Sequence, residues 1–212
     1  MTGRTRRNFE IISFLAFMML AICSTAQDVA SQKNEISAMW GRTFVNDVEV
    51  KHSAFDLNVG ENSTFELNYA RRVRDFKLFA LRAEVPFVMV PGQQLNYFTD
   101  VVPRNYRAYF LTPAMRANFF PYKVLSPWAS LGLGFAHYDP NSLLVYYGTN
   151  PNKIANTVAA LQVGLGLDVK LTRHFSLRTA WRDFYSGTPH LNLDTGSRRS
   201  NYFVGVGGIF HF

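Results

Sequence analysis

Residues 159–171 read AALQVGLGLDVKL, and apolar residues alternate strictly with polar or small ones along this stretch. Every odd-numbered position from Ala159 to Leu171 is apolar, whereas the even positions from Gln162 to Lys170 are polar, charged or glycine. Successive side chains of a β-strand point to opposite faces. A period of two therefore predicts a strand with one apolar face and one polar face.

The same alternation recurs along the chain. In residues 79–85, Phe79, Leu81 and Val85 share one face, while Arg82 and Glu84 share the other. Further segments with this pattern, the first of them less regular, are 36–44, 65–69, 109–119, 128–138, 175–185 and 201–212. Together they predict roughly eight strands, the smallest size usual for a membrane β-barrel.

The connections between these segments alternate in length. Short connections are predicted at residues 73–75, 121–125 and 172–174. Long ones, rich in Asn, Asp, Pro, Gly and Ser, cover 45–62, 87–106, 139–156 and 186–200. Short periplasmic turns and long extracellular loops are typical of outer-membrane barrels, and closure satisfies every backbone group in lipid. The predicted fold is all-β: a closed antiparallel up-and-down transmembrane β-barrel with a polar, filled lumen.

The first 26 residues have the layout of a secretory signal peptide. An arginine-rich start precedes an apolar run over residues 11–22, and the small residues at 24–26 predict cleavage before Gln27. The apolar run is shorter than the roughly 20 residues that a membrane-spanning helix needs. We therefore expect a signal peptide at 1–26 and one outer-membrane barrel domain at 27–212.

Two other export signals overlap this segment. Residues 20–23, Leu-Ala-Ile-Cys, resemble a lipoprotein lipobox, but Ile22 is larger than the small residue that should precede the cysteine. Residues 5–9 contain Arg6 and Arg7 and resemble a twin-arginine motif. That route carries folded proteins, and a folded barrel with a lipid-facing exterior could not travel it in water. Ordinary Sec export is the favoured route.

Composition and charge exclude several function classes. The chain is 48% hydrophobic and 17% charged, which suits an ordered protein. Its single cysteine, Cys23, lies in the signal segment, so the mature chain has no thiol for a disulfide, a zinc site or a nucleophile. Removing the signal takes away three arginines and one glutamate, so the net charge falls from +7 to +5. The basic residues form no single stripe in the sequence, which disfavours nucleic acid as a partner, and anionic lipopolysaccharide fits better.

Three features indicate that the apolar face is the outer one. The polar face carries glycine at six positions, which suits the crowded interior of a narrow barrel and would weaken a water-facing strand. Aromatic residues lie in two groups at the strand ends, as at the two interfaces of a membrane barrel. The chain also ends on Phe212, with Phe210, Val206 and Val204 at alternate positions before it.

This ending resembles the C-terminal signature by which outer-membrane barrels are recognised for assembly, although Gly208 interrupts the apolar series. On this signature and the alternation, residues 35–212 resemble the OmpA- and OmpX-type family of eight-stranded barrels. The resemblance implies a monomer in the cell outer membrane, without a cofactor. It implies four partners: outer-membrane lipid, lipopolysaccharide, periplasmic chaperones, and an assembly machinery that reads Phe210 and Phe212. Functions within the family differ widely, so the expected role is non-enzymatic, either structural or in surface interaction through the loops.

The lumen is predicted to hold eight charged side chains. They are Glu66, Arg82, Glu84, Arg116, Asp168, Lys170, Arg178 and Arg182. Unpaired charges in a confined space are costly, so we expect these groups to pair with one another. An ion path is the functional alternative, but an eight-stranded barrel leaves little free bore, and a solid polar core is favoured.

Two other functions stay open. A lipid-A-modifying enzyme would use His137, whose surroundings resemble lipid A 3-O-deacylase barrels, in which a strand histidine is followed two residues later by the nucleophilic serine. Asp139 occupies that position here and has no hydroxyl, and Ser142 lies beyond a proline. A serine hydroxyl within about 3 Å of His137 would support the enzyme. The other alternative, a soluble lipocalin-like barrel, would need the leucines of residues 159–171 to line an internal cavity.

A second group of catalytic residue types, Ser186, His190 and Asp194, lies together in a polar loop. Such residues are common in loops because their side chains stabilise turns. No metal site is predicted, because the Asp- and Asn-rich turns do not have the spacing of a calcium loop.

Overall fold

The computed structural model describes residues 32–46, 57–193 and 198–212, and these contain ten β-strands. The strands are β1 (Asn34–Val45), β2 (Asn58–Val59), β3 (Asn62–Asp75), β4 (Phe79–Asn96), β5 (Asn105–Leu111), β6 (Ala114–Phe119), β7 (Leu125–Pro140), β8 (Asn156–Lys170), β9 (Phe175–Gly187) and β10 (Arg198–His211). The predicted signal peptide and its cleavage before Gln27 lie outside the described residues. No helix in the described ranges is long and apolar enough to cross a membrane.

The strands close into a ring in which all neighbours are antiparallel. Its order is β1, β3, β4, a split strand, β7, β8, β9 and β10, and β10 pairs back with β1. The split strand consists of β5 and β6, which are separated at Thr112 and Pro113 and which both pair with β4 and β7. The two-residue β2 extends the sheet beside the end of β4. The predicted closed barrel of about eight strands is confirmed.

β8 shows how the alternating sequence becomes two faces. Leu161, Val163 and Leu165 point outward, and the Leu165 side chain is 50% exposed. Gln162 and Asp168 alternate with them and are buried in the interior. The leucines thus do not line an internal cavity, which contradicts the soluble-barrel alternative.

Two predicted connections are instead strand. Residues 73–75 lie in β3, at a bulge between Arg72 and Arg74, and the turn follows at 76–78. β4 continues to Asn96, through the first ten residues of the predicted loop 87–106. Pro91 and Gly92 suggested a loop there, but they lie where the β4–β5 register shifts between Val90 and Gln93. A proline is tolerated at such a bulge because no regular ladder hydrogen bond is lost.

The interior has two layers of different chemistry. The half nearer the short turns holds buried charged and amide side chains, which confirms a polar, filled lumen for that half. The half nearer the long loops is a hydrophobic core that includes Val88, Val90, Tyr106, Phe110, Tyr138, Phe184 and Phe203. The sequence analysis did not predict this apolar layer. Where both faces of a strand end are apolar, apolar and polar residues do not alternate, and the inner face cannot be recognised.

Candidate functional site

Glu35, at the start of β1, lies at the centre of a buried charge layer. Its carboxylate is 2.9 Å from Nη1 of Arg82 and 3.0 Å from Nη2 of Arg178, and it also pairs with Arg116. His211 Nδ1 lies 3.6 Å from the same carboxylate. One acid therefore contacts arginines from β4, β6 and β9 and a histidine from β10.

The other carboxylates link these arginines into one network. Arg178 makes a two-pronged contact with Asp168, with N–O distances of 2.7 and 2.8 Å. Arg182 binds Glu66 and Glu84, each at 2.9 Å, and Glu84 also binds Arg116 at 3.0 Å. The layer thus balances four carboxylates with four guanidinium groups, and nearly all of them are shielded from solvent.

The structure places seven of the eight predicted lumen residues in this layer. Lys170 is the exception: it is buried near the short turns, where its ammonium group donates to the backbone carbonyl of Pro121. Glu35 and His211 belong to the layer but were not predicted. Glu35 precedes the predicted segment 36–44 by one residue, and His211 lies between outward-facing Phe210 and Phe212 inside the predicted segment 201–212. Assigning every inward position of these two strands would have found both.

Three arginines of the charge layer pack against the indole ring of Trp128. Its indole ring lies 5.8, 5.4 and 5.1 Å from the guanidinium carbons of Arg116, Arg178 and Arg182, distances suited to cation–π attraction. The ring fits because its neighbour on β8 is glycine. A β-carbon on Gly166 would come within 2.6 Å of the indole, closer than packed atoms allow. The glycines on the inner face therefore make room for a large lumen side chain.

The exterior is apolar between two groups of aromatic rings. Near the short turns, Phe79 packs beside Phe119, and Phe210 packs between Phe175 and Phe212. Toward the long loops, Phe87 stacks with Tyr109, and Tyr185 and Tyr202 lie near the ends of their strands. Between them the outward leucines are strongly exposed, up to 70% for Leu133. Exposure of this kind is stable only if lipid covers the surface, and aromatic girdles mark its two boundaries.

Described residues from all four long loops are buried at the open end of the barrel. Leu57 from the first loop, Tyr97 and Val102 from the second, Leu144 from the third and Leu191 from the fourth are all buried. All but Leu144 join the same hydrophobic core as the apolar lumen layer. Together with the charge layer below, this cap leaves the interior filled by side chains at both levels.

The second and third loops also hold an exposed apolar surface. We call it the aromatic loop patch and define it as Phe98, Val101, Tyr146 and Tyr147, each of which is exposed. The backbone under it is fixed: the amide of Val145 donates to the carbonyl of Val102 at 3.0 Å. Beside it, the guanidinium of Arg104 lies 4.7 Å from the centre of the Tyr147 ring.

The hydroxyl that contacts His137 belongs to a threonine, whereas a lipid-A-modifying enzyme of the deacylase type would need a serine there. His137 faces outward, and its Nδ1 lies 2.8 Å from the hydroxyl of Thr157 on the neighbouring strand. Asp139 pairs with Lys153 at 3.4 Å. Ser142 lies in the third loop. His137 and Thr157 thus form a hydrogen bond between neighbouring strands on the outer face. The described contacts of His137 do not include the serine that the resemblance to lipid A deacylases requires.

The other polar candidates are Ser186, His190 and Asp194. Ser186 lies inside the barrel and bonds the Tyr138 hydroxyl at 2.6 Å, His190 is exposed in a loop, and Asp194 lies outside the described residues. Across the ranges that the structure describes, no group of three or more His, Cys, Asp and Glu side chains is placed to hold a metal ion.

Comparison with known proteins gives a consistent result for the fold. Neisserial surface protein A superposes with a TM-score of 0.58 at 14% identity, covering 84% of this chain and 97% of that protein. The outer membrane protein OprG of Pseudomonas aeruginosa gives 0.52 at 11% identity, with coverages of 87% and 98%. The N-terminal barrel of OprF from the same organism gives 0.51 at 14% identity, with 85% and 98%. No family model and no curated protein matches the chain.

The present chain has the same fold as these three structures. This fold is the eight-stranded OmpA/OmpX-type outer-membrane β-barrel. Its apolar exterior and aromatic girdles make it an integral protein of the outer membrane.

Proposed function

We propose that this barrel is a non-enzymatic, closed scaffold that presents its long loops for interaction at the cell surface. The observation that carries the proposal is the cap, in which loop residues such as Leu57, Val102 and Leu191 are buried while the aromatic loop patch is exposed. A pore would need an open interior, whereas here arginines, Trp128 and the apolar layer fill it. The side chains available to a binding partner therefore lie on the exposed surface of the loops.

The aromatic loop patch has the properties of a recognition surface. Tyr146 and Tyr147 are 60% and 66% exposed, yet the turn that carries them is held by a 2.7 Å bond from the Leu144 amide to the Gly148 carbonyl. The Tyr146 amide also donates to the Asp100 carboxylate at 2.7 Å. Tyrosines on a rigid turn offer large contact area at small entropic cost, and tyrosine is enriched at binding hot spots.

The partners implied by the family resemblance belong to the same proposal. Phe210 and Phe212 stack on the outer face of the closing strand region, with ring centres 6.1 Å apart, where an assembly factor could read them. The short turns would then face the periplasm and the long loops the exterior. Periplasmic chaperones would carry the unfolded chain, and lipid and lipopolysaccharide would surround the folded monomer.

Two measurements test the scaffold proposal. Cells that display the barrel should bind a panel of surface glycans and extracellular proteins more strongly than cells without it, and Tyr146→Ser/Tyr147→Ser should abolish the difference. Tyr122→Ser, an exposed tyrosine near a short turn, is the control and should bind as the wild type does. Equal binding by all strains would refute the surface role. Steady ion conductance through the purified barrel in a planar bilayer would refute the closed interior.

A further inference from the structure

The short-turn end of the barrel carries a concentration of positive charge. We call it the basic rim and define it by its exposed cations, Lys33, Arg71, Arg74, Lys77, Lys123 and Arg173. Among the described residues 71–78, 120–124 and 171–174, Asp75 is the single acidic side chain, and it pairs with buried Arg72 at 3.4 Å. Arg71, Arg74 and Lys77 lie within seven residues of sequence, and the fold brings Lys33, Lys123 and Arg173 to the same end of the barrel.

Among the described residues, the long-loop end carries exposed or partly exposed acidic side chains beside its exposed cations. There Arg42 pairs with Glu61 at 2.8 Å, and Lys153 pairs with Asp139 at 3.4 Å. A protein that used its positive charge mainly to attract lipopolysaccharide would concentrate it at this end, which faces the exterior in the proposed orientation. The excess instead lies at the opposite end, so its partner must be an anion available there.

Two rim cations lie against aromatic rings at the membrane boundary. The guanidinium of Arg74 lies 5.2 Å from the centre of the Phe76 ring, and the ammonium of Lys123 lies 5.3 Å from that of Phe120. Arg71 follows outward-facing Tyr69 on the same face of β3. Aromatic rings in a membrane protein sit at headgroup depth, so these cations lie at the level of lipid phosphates.

The bulge in β3 gives the rim a concave centre. Its register shift between Arg72 and Arg74 leaves Val73 as the extra residue. A cavity of about 400 Å³ lies beside it, lined by Lys33 and residues 71–75. Arginine presents a planar set of donors that matches a phosphate group, and two exposed arginines with one lysine surround this cavity.

We propose that the basic rim, centred on this cavity, binds the phosphate group of anionic glycerophospholipids in the periplasmic leaflet. The inference rests on the proposed orientation, with the short turns in the periplasm. Each basic residue near an anionic lipid surface contributes about fivefold in association, and salt weakens the effect. The rim should therefore select an anionic lipid over a zwitterionic lipid with the same acyl chains.

Native mass spectrometry of the purified barrel tests this selection. The barrel is equilibrated in mixed micelles that contain phosphatidylglycerol and phosphatidylcholine with identical acyl chains, and the ratio of the two bound lipids is measured. The wild type should favour phosphatidylglycerol, and Arg71→Gln/Arg74→Gln should lower the ratio by about five- to 25-fold at low salt. Arg107→Gln/Arg198→Gln, which removes two exposed arginines from the long-loop end, is the matched control and should leave the ratio unchanged.

Three results would overturn the inference: no preference in the wild type, an equal fall in both double variants, or displacement of phosphatidylglycerol from the rim by equimolar lipid A. The last would mean that the phosphate partner belongs to the outer leaflet. Heat-modifiable gel migration in each micelle separates these results from failure of the barrel itself. A variant that migrates as a folded barrel without lipid preference refutes the rim alone, whereas a wild type that never folds in lipid refutes the membrane scaffold.

Discussion

Replacing Glu35 by glutamine should destabilise the barrel more than any comparable change at its surface. Glutamine keeps the shape of the side chain and removes its negative charge, which three arginines contact. Arg116 keeps Glu84, and Arg178 keeps Asp168. Arg82, only 5% exposed, loses the carboxylate with which it pairs.

The size of the effect follows from burial. Breaking a buried ion pair by removing one partner typically costs about 3–5 kcal/mol, because the other charge stays desolvated. Four buried guanidinium groups would then face three carboxylates. The matched control is Glu61→Gln: Glu61 also bonds an arginine, Arg42, at 2.8 Å, but both side chains are more than half exposed. An exposed pair of this kind contributes about 0–1 kcal/mol.

The assay is urea unfolding of the refolded barrel in phosphatidylcholine vesicles, followed by tryptophan fluorescence and by gel migration. The midpoint should fall strongly for Glu35→Gln and hardly at all for Glu61→Gln, with equal slopes for both. Adding Arg82→Gln to Glu35→Gln should recover part of the loss, because it removes the orphaned charge. If Glu35→Gln cost no more than Glu61→Gln, the charge layer would be hydrated, and the idea of a dry, filled lumen would be wrong.

Three further predictions address assembly, the outer face and catalysis. Deletion of Phe212 should lower the amount of barrel in the outer membrane more than it lowers synthesis or export, with unfolded chain in the periplasm; normal assembly would remove its role as a signal. Leu165→Arg should cost about 2–4 kcal/mol in the same unfolding assay if Leu165 lies near the bilayer midplane, and an unchanged midpoint would place that position outside the membrane. His137→Asn should leave the acyl-chain pattern of lipid A, read by mass spectrometry, equal to that of cells with the wild-type barrel. A change in that pattern that Thr157→Val reproduced would establish the enzyme.

The strands and their faces could be predicted because alternation is local. In residues 159–171, the polarity of adjacent residues assigns each side chain to the inner or the outer face. This period of two does not depend on the register of the barrel. Reliance on local signals also explains why the loop at 87–106 was wrongly predicted and the apolar layer was missed. Pro91 and Gly92 carry a local loop signal that the bulge in β4 overrides, and Val88 and Phe110 lie in stretches where both faces are apolar.

Closure of the barrel decided what local pattern could not. Glu35 and Arg178 are separated by 143 positions in the chain, yet their charged atoms lie 3.0 Å apart because the ring brings β1 and β9 to one level of the lumen. The same closure brings cations from separate turns into the basic rim and buries described residues of the four long loops in one cap. The side of each strand that meets lipid can be assigned from the sequence, since it depends on nearest neighbours. The pairing of the charges cannot, because it depends on strand register and tilt around the whole ring.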